Sequence, residues 1–241
     1  MATVAAPRAR LTGERRFFLA MALALAVCTF AGFARSYYLM QYTGAPELAF
    51  LVHLHGIAFT AWVLLFGLQA GLISAGRTDV HVWTGSAGML LALAMVVLGI
   101  VVAVTRSRPP LVAANPFTRE QFLIFPFIAI GLFALFVGCA FANRHRPDHH
   151  KRYMLLATIN VIFPALSRMS GLIPMLPRGA IGAMIVTDLF LAALVIHDLR
   201  SRGRIHPVTL WGGALTLACE PLRFLIARSA WWEGIAQSLT V

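Results

Sequence analysis

Seven apolar runs, each close to the roughly 20 residues that a helix needs to cross a bilayer, leave this chain almost no sequence from which a water-soluble domain could be built. They extend over Phe17–Tyr38, Leu48–Ser74, Thr84–Thr105, Phe122–Phe141, Tyr153–Leu172, Gly179–Ile196 and Val208–Ile226. With 59% hydrophobic and 12% charged residues over 241 positions and a mean hydropathy of +0.79, one soluble core cannot hide so much apolar surface. Lipid is therefore the expected solvent. A lipid-exposed strand would leave its backbone unpaired unless it closed into a barrel, and the alternation of a barrel is absent. The fold class read from the sequence is all-α, a polytopic transmembrane bundle of about seven spanning helices.

Residues 1–16 read as a basic cytoplasmic segment, 17–228 as the bundle and 229–241 as a short tail. The formal charge of +11 raises the question of nucleic acid. Its basic residues, however, form short clusters between apolar runs, where they face headgroups, so a nucleic-acid partner is not expected. With the amino terminus inside, twelve loop cations fall on the cytoplasmic side (Arg8, Arg10, Arg15, Arg16, Arg77, Arg144, Arg146, Lys151, Arg152, Arg200, Arg202, Arg204) and six opposite (Arg35, Arg106, Arg108, Arg119, Arg178, Arg228). That asymmetry suggests a bacterial inner membrane with a cytoplasmic amino terminus. The Arg-containing lead before Phe17 resembles a signal peptide, but the run is long enough to span and lacks a small-x-small cleavage site, so a retained first helix is expected.

Breaks between runs carry turn chemistry: Gly44-Ala-Pro46, Pro109-Pro110, Asn115-Pro116, Arg146-Pro147, Pro174 and Pro177. Pro126 and Pro164 are expected to kink their helices, and Glu220, Pro221 and Arg223 interrupt the seventh run. Gly67 and Gly71 form a GxxxG, a spacing that permits close helix approach. Cys28, Cys139 and Cys219 lie in apolar runs as small hydrophobes, without a CxxC. No HExxH, Ser-His-Asp set or paired-carboxylate motif of a hydrolase is present.

Ionisable side chains at depth cost several kcal/mol unless paired. Counting about 1.5 Å per residue sorts them into two layers. Arg35, His53, His55, Arg168, Glu220 and Arg223 fall near the outer face. His81, His149, His150, His197 and His206, with Asp79, Asp148 and Asp198, fall near the inner face, and Asp188 lies nearest the midplane. His53 and His55 are two residues apart and so point about 200° from one another. They cannot share an ion; they are either hydrogen-bonded helix-end residues or contribute one contact to a cofactor. Arg168 needs a partner, and Glu220 is the candidate. Glu220 and Arg223 are three apart and can pair instead, and a structural network of these charges is the alternative to a ligand site.

The inner layer carries the sharpest chemical expectation. Haem b in a helical bundle takes two neutral imidazoles from different helices at matched depth. His81 and His150, with His149 as substitute, satisfy that condition as metal ligands. Gly85 and Gly88 beyond His81 would clear room for a flat macrocycle, or serve helix packing equally. Asp79 or Asp148 would accept the second ring N–H. The expectation is thus a haem-binding or quinone-linked electron-transfer protein with a membrane redox partner. A non-redox carrier or assembly partner with a buried charged network stands beside it.

The stretch HLHGIAFTAWVLLFGLQAGLISAGRTDVHVWTGSAGMLLA, with HHKRYMLLATINVIFPALSR and EPLRF further on, resembles an uncharacterised bacterial family of multi-pass membrane proteins, a domain of unknown function. The resemblance covers residues 47–226. It matches His53 or His55, Arg77 with His81, His150-Lys151-Arg152 with Met154, and Arg168. Where an Arg often follows the His that opens the third helix, this chain has Val82. The resemblance implies a helical membrane fold and carries no agreed activity.

Overall fold

The computed structural model describes residues 6–106 and 117–239, with side chains from residue 13 onward. The Pro109-Pro110 and Asn115-Pro116 turns, Arg108, and the side chains of Arg8 and Arg10 lie outside the described residues. Helix α1 (Ala6–Phe33) runs into a π-helical turn at Ala34–Tyr38 and the short α2 (Met40–Thr43). There follow α3 (Phe50–Ser74), α4 (Thr78–Arg106), α5 (Arg119–Phe122), α6 (Ile124–Ala142), α7 (Pro147–Val161), α8 (Phe163–Ser170), α9 (Ala180–Arg202), α10 (Pro207–Ala227) and α11 (Ala230–Leu239). The described residues contain no strand, and the protein is an all-α bundle.

Six helices are long and apolar enough to cross a membrane, and the α7–α8 pair, bent by 52°, makes a seventh if it counts as one span. Six to seven candidate spans agree with the expected bundle of about seven, and the fifth apolar run is broken. Pro164 has no N–H to give the Asn160 carbonyl, and the break falls at Ile162, two residues before it. Pro126 behaves differently. The chain breaks at Leu123, between α5 and α6, leaving Pro126 in the first turn of α6, where backbone donors are free anyway. Nor is the seventh run interrupted, because α10 continues through Pro221.

The packing follows from which helix is buried on all sides. Seven consecutive residues of α7, Leu155–Val161, are buried, as a helix enclosed by others requires. Helices α1, α3, α4, α6, α10 and α9 pack in that order around it, and α9 returns to α1. Phe133, Phe136, Leu155, Leu156, Ile159 and Leu166 are at the centre. Outward faces remain apolar: Leu64, Leu68, Leu90, Leu93, Leu189 and Leu225 are exposed, as lipid-facing side chains should be. Trp83 and Trp211 are exposed near the heads of α4 and α10, and Tyr42 and Trp231 near the opposite end, an arrangement of amphipathic rings at both interfaces.

Close approach of α1 to α8 depends on Gly32, where a Cβ would come within 2.1 Å of the Ala165 carbonyl oxygen. A Cβ at Gly67 or Gly71 of the GxxxG would meet nothing within 4 Å among the described residues, so that pattern is not used for close helix approach there. The expected tail is α11, an amphipathic helix folded back on the bundle. Trp232 is buried in a small apolar cluster with Leu123, Phe125 and Ala227, and its Nε1 donates to the Glu120 carbonyl at 3.0 Å.

Candidate functional site

The head of the central helix α7 gathers the densest polar cluster in the described residues. Pro147 occupies the first turn of α7, where its missing donor is harmless, and the HHKR sequence then distributes four polar side chains around one helical turn. Arg152 and Asp198 of α9 are both fully buried. Arg152 Nη2 and Nε donate to Asp198 Oδ1, the latter over 3.1 Å, and Nη1 donates to the Asp148 carbonyl at 2.9 Å. Asp198 Oδ2 also accepts from the His206 N–H (3.1 Å) and the Thr209 hydroxyl (2.5 Å). Lys151 bridges Glu14 and Asp148, each at 2.6 Å, and Arg202 reaches Asp148 at 3.0 Å. Three cations thus meet three carboxylates, tying α1, α7, α9 and α10 together with no net charge.

Four of the histidines at this end of the bundle form two pairs, while His197 stacks on Phe17 of α1. His81 and His150 have ring centres 6.3 Å apart and planes at 88°; His149 and His206 are 4.7 Å apart at 82°. His150 Nδ1 lies 2.9 Å from the Ala140 carbonyl. A carbonyl only accepts, so this nitrogen carries the proton and the neutral ring keeps its lone pair on Nε2. His81 Nδ1 is buried without a partner. His149 faces His206 rather than His81. His206 caps α10, with Nδ1 accepting from the Val208 N–H at 3.1 Å. Burial, followed by the charge of Arg152, pushes its pKa down to about 4.

Two further expectations about this cluster change. Neither Asp79 nor Asp148 holds a ring nitrogen of the pair. Asp79 is exposed and pairs with Arg77 at 3.4 Å, Asp148 is taken by Lys151 and Arg202, and a backbone carbonyl holds His150 instead. Of the two glycines beyond His81, only Gly85 leaves space, a Cβ there meeting just Gln69 Nε2 at 3.9 Å. At Gly88 it would press on Leu65 at 3.1 Å, so that glycine serves α3–α4 packing.

Arg168 does not reach Glu220. The α7–α8 bend turns it toward α1, where its guanidinium lies over Phe33 at 4.8 Å while Nη1 donates to the Pro164 carbonyl. Arg223 makes no ion pair either: it lies over Phe163 at 4.2 Å, and its Nε donates to the Cys219 carbonyl. Glu220, placed near the outer face by sequence counting, interacts electrostatically with Asp188 as well as Arg223. His53 packs against Tyr37, and His55 lies on Phe59 at 4.1 Å with its Nδ1 buried and unpartnered. They diverge as their spacing requires.

The residues that sequence reasoning undervalued are Arg152, Asp198 and Glu14. Their signal was a cation and an acid facing the same end from separate helices, but in sequence they are indistinguishable from solvated loop charges. No family model, curated protein or solved structure matches the chain.

Proposed function

We propose that this integral membrane protein binds haem b between His81 of α4 and His150 of α7 and serves in one-electron transfer with a quinone or another membrane redox protein. The observation that carries the reading is the approach of these two rings from different helices. With metal–nitrogen bonds of about 2 Å, two imidazoles facing each other across one metal ion have ring centres roughly 6 Å apart, and these are 6.3 Å apart. Among the described residues no group of three or more His, Cys, Asp or Glu is arranged to hold an ion. A pair of imidazoles would therefore suit a group that carries most of its metal ligands itself. Ala140 fixes the His150 tautomer, as a carbonyl behind a metal-binding histidine does, and the space beside Gly85 lies one turn from His81. A bound haem would supply the change of oxidation state; the chain supplies the two nitrogens and their orientation.

The basic loops support an orientation in a bacterial inner membrane with this histidine end toward the cytoplasm, and the His and Arg pattern supports kinship with the uncharacterised multi-pass family. A non-redox carrier or assembly partner is the second reading, favoured by the self-neutralising Arg152–Asp198 network, which needs no ligand to close.

Absorption spectra of protein purified from haem-replete cells decide between them. The haem reading expects a Soret band that shifts on adding dithionite, lost in His81→Ala and His150→Ala and retained in His149→Ala. No Soret band and no dithionite response would leave the second reading.

A further inference from the structure

Away from the histidine end, α9 carries Asp188 and α10 carries Glu220 and Arg223. Fourteen residues separate Asp188 from Arg202 at the end of α9, and thirteen separate Pro207 from Glu220. At 1.5 Å per residue both acids are about 20 Å from the same end of the bundle, at matched depth on neighbouring antiparallel helices. Glu220 is 5% and Arg223 2% exposed, and Asp188 is half-buried. Asp188 Oδ1, Glu220 Oε1 and Arg223 Nη1 are each buried with no hydrogen-bond partner among the described residues, although Glu220 feels the charge of both neighbours.

With all three groups ionised the set carries one net negative charge, with both carboxylates lacking an ion pair in a medium where that is costly. The other charged or titratable groups of the surrounding helices are occupied or distant. Arg168 of α8 lies on Phe33 and Arg152 of α7 is bound to Asp198, while Arg119 of α5 donates to the Val104 carbonyl. Glu120 and Glu233 belong to α5 and α11, beyond the far ends of α6 and α10. At the depth of the acids α7 presents Asn160, committed to Leu156 and Thr216. The thiols of Cys28, Cys139 and Cys219 are free and partly buried, and Tyr153 lies near the head of α7.

We propose that Asp188 and Glu220 form a proton-binding site within the membrane. One proton is held between the two carboxyls, and Arg223 balances the charge that remains. A proton is favoured over a metal ion because no group of three or more ligating side chains is present among the described residues. It is favoured over an organic ligand because a proton requires no cavity. Two neighbouring carboxyls sharing one proton is the ordinary outcome when like charges cannot both ionise. Binding forms one carboxyl O–H bond and release breaks it, with no other change. Asp188, the more exposed of the two, is the exchanging member, and Glu220 is the buried store.

The test is the infrared spectrum of the full-length protein in lipid vesicles at neutral pH. The proposal expects the carbonyl stretch of one protonated carboxylic acid, shifted by exchange into D2O. It expects complete loss of that band in both Glu220→Gln and Asp188→Asn, because either single acid left behind ionises against Arg223. A wild-type protein with no such band, or a band that survives each substitution, overturns the proposal. Dicyclohexylcarbodiimide, which attacks protonated carboxyls in apolar surroundings, keeps the test decisive if the variants do not accumulate. Mass spectrometry of the wild-type protein should place the adduct on Asp188 or Glu220, and an adduct on neither overturns it.

Discussion

Replacing Asp198 by Asn removes the charge but little of the volume from a carboxylate that accepts from Arg152 twice, from the His206 N–H and from the Thr209 hydroxyl. Arg152, fully buried, would then be a cation without its principal partner. Breaking one side of a buried ion pair costs about 3–5 kcal/mol. Arg152 keeps its bond to the Asp148 carbonyl and has Glu14 at 3.9 Å, so the lower end applies. About 3 kcal/mol corresponds to a factor of roughly 100 in the unfolding equilibrium. The double variant Arg152→Met, Asp198→Asn removes both charges and leaves the Asn oxygen to accept from the His206 N–H. Its loss should be about 1 kcal/mol, smaller than that of the single variant. Unfolding by graded SDS in mixed micelles, followed by tryptophan fluorescence, measures both. Asp198→Asn with a wild-type midpoint, or a double variant that loses more than the single, would refute the claim that the uncompensated cation is the costly species.

Three other outcomes are expected. His206 titrates at about 4 in the folded protein against about 6.5 unfolded, so the folded state binds fewer protons between those values. Its stability contribution is complete above about pH 6.5 and is lost as pH falls toward 4, by at most about 3 kcal/mol. A pH series of SDS midpoints should show this slope, and His206→Asn, which keeps a capping side chain but does not titrate there, should flatten it. Gly32→Val drives a side chain into the Ala165 carbonyl and should cost about 1–3 kcal/mol, whereas Gly67→Ala, which meets nothing, should stabilise slightly; thermal stability in detergent separates the two. Single cysteines at Thr78 and Asn143 should resist impermeant maleimide applied outside intact cells, and efficient labelling of both would reverse the orientation.

Helix existence was legible because seven long apolar runs leave little freedom, and the two charged layers followed from counting residues along them. Helix neighbours were not legible. Arg168 lies at a depth that suits Glu220, yet the bend at Ile162 points it toward α1, and no local pattern encodes that direction. Similarly, His149 and His150 are adjacent in sequence and equal in depth. Only the rotation of α7 determines that one meets His206 and the other His81. The matched depth of Asp188 and Glu220 was missed because sequence counting ended the sixth run at Ile196, while α9 runs on to Arg202 and brings the two to one level.

The distance along the chain between Arg152 and Asp198 also sets an order of assembly. The acid is 46 residues downstream of the cation, so at about 5–20 residues per second it leaves the ribosome some seconds after α7. During that interval Glu14 and Asp148, both already made and 3.9 and 4.0 Å from Arg152 in the finished protein, are the counter-ions within reach, and Glu14 is the one from another helix. The α7–α8 pair needs both halves to qualify as a span, so it is the segment most dependent on such interim company. Loss of Glu14 would then be felt during insertion more than in the completed bundle, as a lower yield of integrated chains rather than a less stable protein.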